Sequence, residues 1–194
     1  DFYAYMPMHA YIFVPGRDLW PAASVNARIK LDNDRKASAW LDANRSVEQM
    51  TWAPGEPTII RDHLFIEGGR ARRVGCTCFN LYRPPQPLPG DAAKAGPWLY
   101  HVRGIYPSDA DHIIRWLAHR VQKPYDKINH AIVLGGLQGI GKDTLLEPVK
   151  HAIGPWNFSE ISPAHLLGRF NPFIKSVILR INEARDLGDV DRYS

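Results

Sequence analysis

Cysteine is scarce in this chain: Cys76 and Cys78 are the only two in 194 residues, and they sit as Cys-Thr-Cys. In an extended strand that spacing turns both side chains to one face, which suits half of a metal site. A zinc site takes four ligands, and no second pair or suitably spaced histidine completes one. The eight histidines are scattered and form no constellation. The expectation is two half-buried strand cysteines and no metal held by them. No apolar run approaches the roughly 18 residues needed to span a bilayer, which argues against a membrane partner. The opening DFYAYMPMHA lacks the basic start and apolar core of a signal peptide, so a cytoplasmic location is expected. A strong charge excess is missing too. Against 24 Lys and Arg stand 20 Asp and Glu, a net charge of +4 with a pI near 9.1. That balance permits a nucleic-acid partner without demanding one.

What is present is an ordinary globular composition. Hydrophobic residues make up 45%, enough for one domain or two small ones. Residues 9–14 read as a strand, 15–18 as a turn and 19–29 as irregular or extended chain. Residues 37–50 carry apolar positions at loose helical spacing (Trp40, Leu41, Val47, Met50), a weak helix or ordered loop. Two further strands are expected at 58–67 and 74–82. Residues 1–83 therefore read as a small mixed α+β region.

Between Pro84 and Pro97 seven of fourteen residues are Pro or Gly, so 84–98 is expected to be a linker without a regular element. A helix follows, with Ser108 as its cap and Asp111 three residues on. Ile113, Ile114, Leu117 and Val121 form its apolar face. Residues 131–134 are continuously apolar, as in a strand buried on both faces. They run into a glycine loop and then a helix opening at Thr144-Leu145-Leu146, with Pro148 early in it. Ser162-Pro163 marks another helix start, and residues 176–183 read as a second apolar strand with polar residues at its end.

Strand, glycine loop and lysine at a helix start is an arrangement that binds nucleotide phosphates. Glycines let backbone N–H groups turn inward toward phosphate oxygens. The helix N-terminus adds a favourable dipole, and a lysine ammonium reaches the outer phosphates. Gly136-x4-Gly141-Lys142 fits this pattern, with Gly139 inside the loop. The candidate nucleotide-binding residues are Gly136, Gln138, Gly139, Ile140, Gly141, Lys142, Asp143 and Thr144. The hydroxyl residue usual after the lysine is Asp143 here, and Thr144 follows. Either Thr144 ligates Mg²⁺ from a shifted loop or Asp143 touches it through water. The second strand supplies Glu183 at its end, a candidate to orient attacking water and complete the metal shell beside Thr144. Lys142 and Glu183 are thus the catalytic candidates, with ATP and Mg²⁺ as the implied cofactors. Arg180 within that strand is an unusual residue for an apolar strand, with Glu183 or another acid as its candidate partner.

These residues carry a family resemblance. LGGLQGIGKDTLLEPVKHAIGPWNF and LLGRFNPFIKSVILRINEARDLGDV resemble the ATPase core of phage and prophage primase-helicases, related to superfamily 3 helicases of the AAA+ class. FNLYRPPQPLPG, HIIRWLAHRVQKPYDK and YIFVPGRDLWPAASVNARI resemble the segments that lead into it. The resemblance implies an α/β P-loop NTPase core over residues 99–194, ATP hydrolysis, movement on single-stranded DNA and a hexameric ring, in a bacterial host cell. It also implies a sensor strand between the two strands and an arginine finger beyond it. The chain begins with Asp1 and stops at Ser194 before both, so a core truncated after its second strand is expected, and the two strands lack a partner between them.

Two other readings stand beside this one. A small nucleotide kinase uses a similar loop, but such enzymes need more chain after it. A single-stranded nucleic-acid module would use Arg70, Arg72, Arg73 and Arg83 beside Phe79 and Tyr82 for phosphate contact and stacking. The plainer reading of that stretch is an exposed β edge with the aromatics in the core.

Overall fold

The computed structural model describes residues 1–31, 35–67, 69–86, 89–166 and 172–182. The chain divides into two compact units, Asp1–Tyr82 and Arg83–Ser194. The fold is mixed α/β with small sheets. No helix among the described residues is long and apolar enough to cross a membrane.

In the first unit the strands are β1 (Phe2–Tyr5), β2 (Ala10–Phe13), β3 (Asp18–Pro21), β4 (Ser46–Val47), β5 (Gln49–Thr51), β6 (Ile59–Ile66) and β7 (Gly69–Asn80). Helices α1 (Ala22–Arg28) and α2 (Ala37–Asn44) lie between β3 and β4 in sequence. One sheet has the order β3-β2-β1-β4, the other β5-β7-β6. Strand alternation divides the residues between two cores. Phe2, Ala4 and Tyr11 turn to Val25, Ala37 and Leu41 of the helices. Ile12 and Val47 turn the other way, to Phe79 of the second sheet. Asn80 is fully buried where the second sheet ends. Its amide donates to the carbonyls of Ala53 and Glu56 and its oxygen accepts from the N–H groups of Ala53 and Tyr82.

Between β6 and β7 the register passes from Arg61↔Thr77 to His63↔Arg72, so residues 73–76 bulge opposite Asp62. Asp62, at φ 58, accepts the Gly75 N–H at 2.8 Å and holds the bulge. The bulge separates the two cysteines: Cys76 is half-buried and Cys78 fully buried.

The second unit contains α3 (Gly96–Ile105), α4 (Ala110–Gln122), α5 (Lys142–Ile153), β8 (Phe158–Ile161), α6 (Pro163–Leu166) and β9 (Ile178–Ile181). Ile113 and Leu117 of α4 and Leu145, Val149 and Ile153 of α5 recur at one-turn spacing and are buried. β8 and β9 pair in parallel.

Residues 22–28, expected as irregular or extended chain, form α1, and Pro148 lies in the middle of α5 rather than early in it. Three other expectations also differ from the structure. The continuous apolar run 131–134 is not a strand, and Val133 is 89% exposed. An apolar run becomes a strand only where another strand offers its edge, and among the described residues no strand pairs with this run. The Pro/Gly-rich stretch ends earlier than expected, because α3 starts at Gly96 with Pro97 in its first turn, where a missing N–H costs nothing. The third concerns the start of α4: it follows Asp109, and no side chain caps it.

Candidate functional site

The glycine loop enters α5 through Gly141, which lies at φ 91 directly before Lys142. Gly136 and Gly139 also sit at positive φ, 136 and 82. At two of these positions a Cβ would also displace a neighbouring side chain. A Cβ on Gly136 would lie 2.6 Å from Ile140 Cδ1, and one on Gly141 would lie 2.6 Å from His101 Cε1. Ile140 thus folds back over Gly136, while Gln138 is exposed at the loop's tip.

Lys142 is the first residue of α5, and its ammonium turns back across the loop. Its Nζ donates to Gly136 O at 3.0 Å and Leu137 O at 2.8 Å. Thr144 is exposed on the same first turn. Asp143 accepts a hydrogen bond from Arg180 Nη2, which answers the question of why an arginine stands in β9. Arg180 Nη1 lies 3.7 Å from Glu160 Oε1, directly opposite it on β8. Glu160 also accepts from Asn182 Nδ2. Glu183 lies outside the described residues. Among the described residues no three His, Cys, Asp or Glu side chains could hold a metal ion.

Helix α3 and the residue after it supply three donors to the loop and to α5, none of them evident from the sequence pattern. Tyr106 donates its hydroxyl to Gly135 O at 2.9 Å, His101 Nε2 lies 3.0 Å from Gly141 O, and Trp98 Nε1 donates to Leu145 O at 2.9 Å. A carbonyl only accepts, so His101 carries its proton on Nε2. Gly141 O also accepts the Leu145 N–H at 3.1 Å, the first backbone bond of α5. Burial pushes the Tyr106 phenol above its ordinary value, consistent with a hydroxyl that stays a donor. The signal for this helix was present as Trp98, Val102 and Ile105 at helical spacing, with Val102 fully buried. It was masked by the Pro and Gly before it.

The four arginines fall into different settings. Arg70 pairs with Glu56 at 2.5 Å. Arg83 lies over the Trp156 ring at 4.5 Å, and its carbonyl accepts from Trp156 and Asn157. Arg72 and Arg73 are exposed at the bulge. Phe79 and Tyr82 are buried and present no open face on which a base could stack.

No protein-family model matches the chain, and no curated protein matches it in sequence. Among solved structures it is similar in fold to the C-terminal region of NrS-1 (residues 305–718) in its apo state, with a TM-score of 0.62 at 19% identity. An A-form apo structure of the same region gives 0.59, also at 19% identity. The likeness covers 92% of this chain and 41% of the first of those chains. The chain therefore spans under half the length of the structures it resembles.

Proposed function

We propose that this chain carries the nucleotide-binding portion of a phage- or prophage-type replication helicase, which couples ATP hydrolysis to movement on single-stranded DNA. The observation that supports it most is the loop: glycines at positive φ leading into a helix whose first residue folds an ammonium over the loop's own carbonyls. Phosphate oxygens are stronger acceptors than those carbonyls, so an entering triphosphate takes the ammonium over. The fold likeness over nearly the whole chain agrees with this reading.

In this reading the P-loop spans Gly136, Gln138, Gly139, Ile140, Gly141, Lys142, Asp143 and Thr144. Loop N–H groups hold the phosphates and Lys142 neutralises the outer ones. The Thr144 hydroxyl would hold Mg²⁺, which would draw charge from the phosphates. Glu183 would orient a water toward the terminal phosphorus and accept its proton, so that the water oxygen forms the new P–O bond as the bond to ADP breaks. Arg72 and Arg73, being exposed, are the proposed DNA contacts of the basic strand. Assembly into a homo-oligomeric ring belongs to the same proposal.

Calorimetry with ATP and ADP tests the reading on wild type and Lys142→Ala. Wild-type binding that Lys142→Ala weakens about 100-fold or more is expected, the loss of a charge-assisted phosphate contact. Absence of binding in wild type, or equal binding by the variant, overturns it. Hydrolysis stimulated by single-stranded DNA, in this chain or one extended downstream, tests the motor.

A further inference from the structure

Arg180 is a polar interruption in an otherwise apolar β9, and its contacts place it in the same charge network as the loop. Its side chain is 27% exposed, whereas that of Asp143 is 74% exposed. The acid stands open to solvent in the first turn of α5, beside Lys142, where a bound anion would meet it. An aspartate there opposes phosphate by like charge. Among the described residues, the charges of Arg180, its acid partners Asp143 and Glu160, and the adjacent Lys142 sum to zero. Without Arg180 the same network carries a net charge of −1.

We propose that Arg180 is the counter-charge that allows an anion to bind beside Asp143: it holds that carboxylate toward β9 and cancels its field at the loop. The role is a positioning one, exerted through Asp143 rather than on the nucleotide itself, and it rests on the phosphate-binding reading of the loop. Glu160 contributes less because it lies across from Arg180 on β8 rather than on the loop's helix.

The test is ADP binding by calorimetry in magnesium-free buffer, which removes any route through metal. Arg180→Ala weakens ADP by about tenfold, the order of one unit-charge interaction in a half-solvated site. Asp143→Asn added to it returns affinity to within about twofold of wild type, since the net charge is again zero. Glu160→Gln added instead restores less. Arg180→Lys, which keeps the charge, stays within about threefold of wild type. The loss in Arg180→Ala shrinks at high salt, as a field effect must. A merely structural arginine behaves otherwise, because removing its acid partner restores nothing. Wild type that binds no ADP overturns both the phosphate-loop reading and this proposal. Wild type that binds, with Arg180→Ala unaffected, with no recovery in Arg180→Ala/Asp143→Asn, or with Arg180→Lys as weak as Arg180→Ala, overturns the role of Arg180 alone.

Discussion

Replacing Gly141 with alanine probes whether helix α3 shapes the loop. The residue lies at φ 91, where a Cβ costs about 1–2 kcal/mol in backbone strain. The new methyl group would also lie 2.6 Å from His101 Cε1 and 2.8 Å from its Nε2. Real Cβ atoms do not approach so closely, so the imidazole must swing away and give up its bond to Gly141 O. That loss adds about 1 kcal/mol. The sum of about 2–3 kcal/mol corresponds to roughly 30-fold to 150-fold easier opening of the first turn of α5. Hydrogen exchange over α5 reads this directly, because the Leu145 amide bonds to the same carbonyl. His101→Ala alone costs about 1 kcal/mol. In that background Gly141→Ala meets no imidazole and costs only the strain. The double variant is then about 1 kcal/mol less destabilised than the sum of the singles. Additivity within about 0.3 kcal/mol would refute the steric argument.

Three further outcomes follow from buried polar groups. Arg120 donates to the carbonyls of Val177, Pro124 and Asp126, so Arg120→Ala lowers stability in urea by about 2–4 kcal/mol. Arg120→Lys does not restore it, because one ammonium cannot span three carbonyls. Asn80→Asp is worse than Asn80→Ala in thermal unfolding, since a carboxylate would face the Ala53 and Glu56 carbonyls that the amide now serves; the alanine variant costs about 2–4 kcal/mol. Burial, then the nearby Cys76 and Glu48, pushes the Cys78 thiol up. Iodoacetamide followed by mass spectrometry therefore labels Cys76 in the native protein, and Cys78 only on unfolding. The sign of the pH effect follows from the same shift. Above the ordinary thiol value of about 8.5 the unfolded chain loses this proton while the native chain keeps it. The thiol's contribution is fully present below that value and is lost as pH rises through the raised native one. Urea midpoints from pH 7.5 to 9.5, compared with Cys78→Ala, check it.

Local pattern was enough for much of the chain. β2 and β6 lie within runs of the expected length, and the apolar face of α4 and the helix after the glycine loop follow from residues three and four apart. The glycines of the loop, the lysine that follows and the helix they open are all written in one short stretch. β1, α1, β8 and α3 were not read. The first three are short, and α3 hides behind prolines whose effect at a helix start is the reverse of their effect inside one.

Residues near in sequence determined α4 and the helix after the glycine loop by themselves, because a helix closes its hydrogen bonds within its own turns. Strands do not. The run 131–134 has strand composition and no strand, since its backbone needs an edge that only another part of the chain can supply. The bulge that separates Cys76 from Cys78 likewise depends on Asp62 across the hairpin. The same holds for the candidate site. Sequence placed Lys142 and Asp143 side by side, but only the tertiary structure brought Arg180 to Asp143 across 37 residues and Trp98, His101 and Tyr106 to the carbonyls of the loop and the helix it opens. Hydrogen bonds and charges act through space over a few ångströms, and distance along the chain says nothing about which groups come that close.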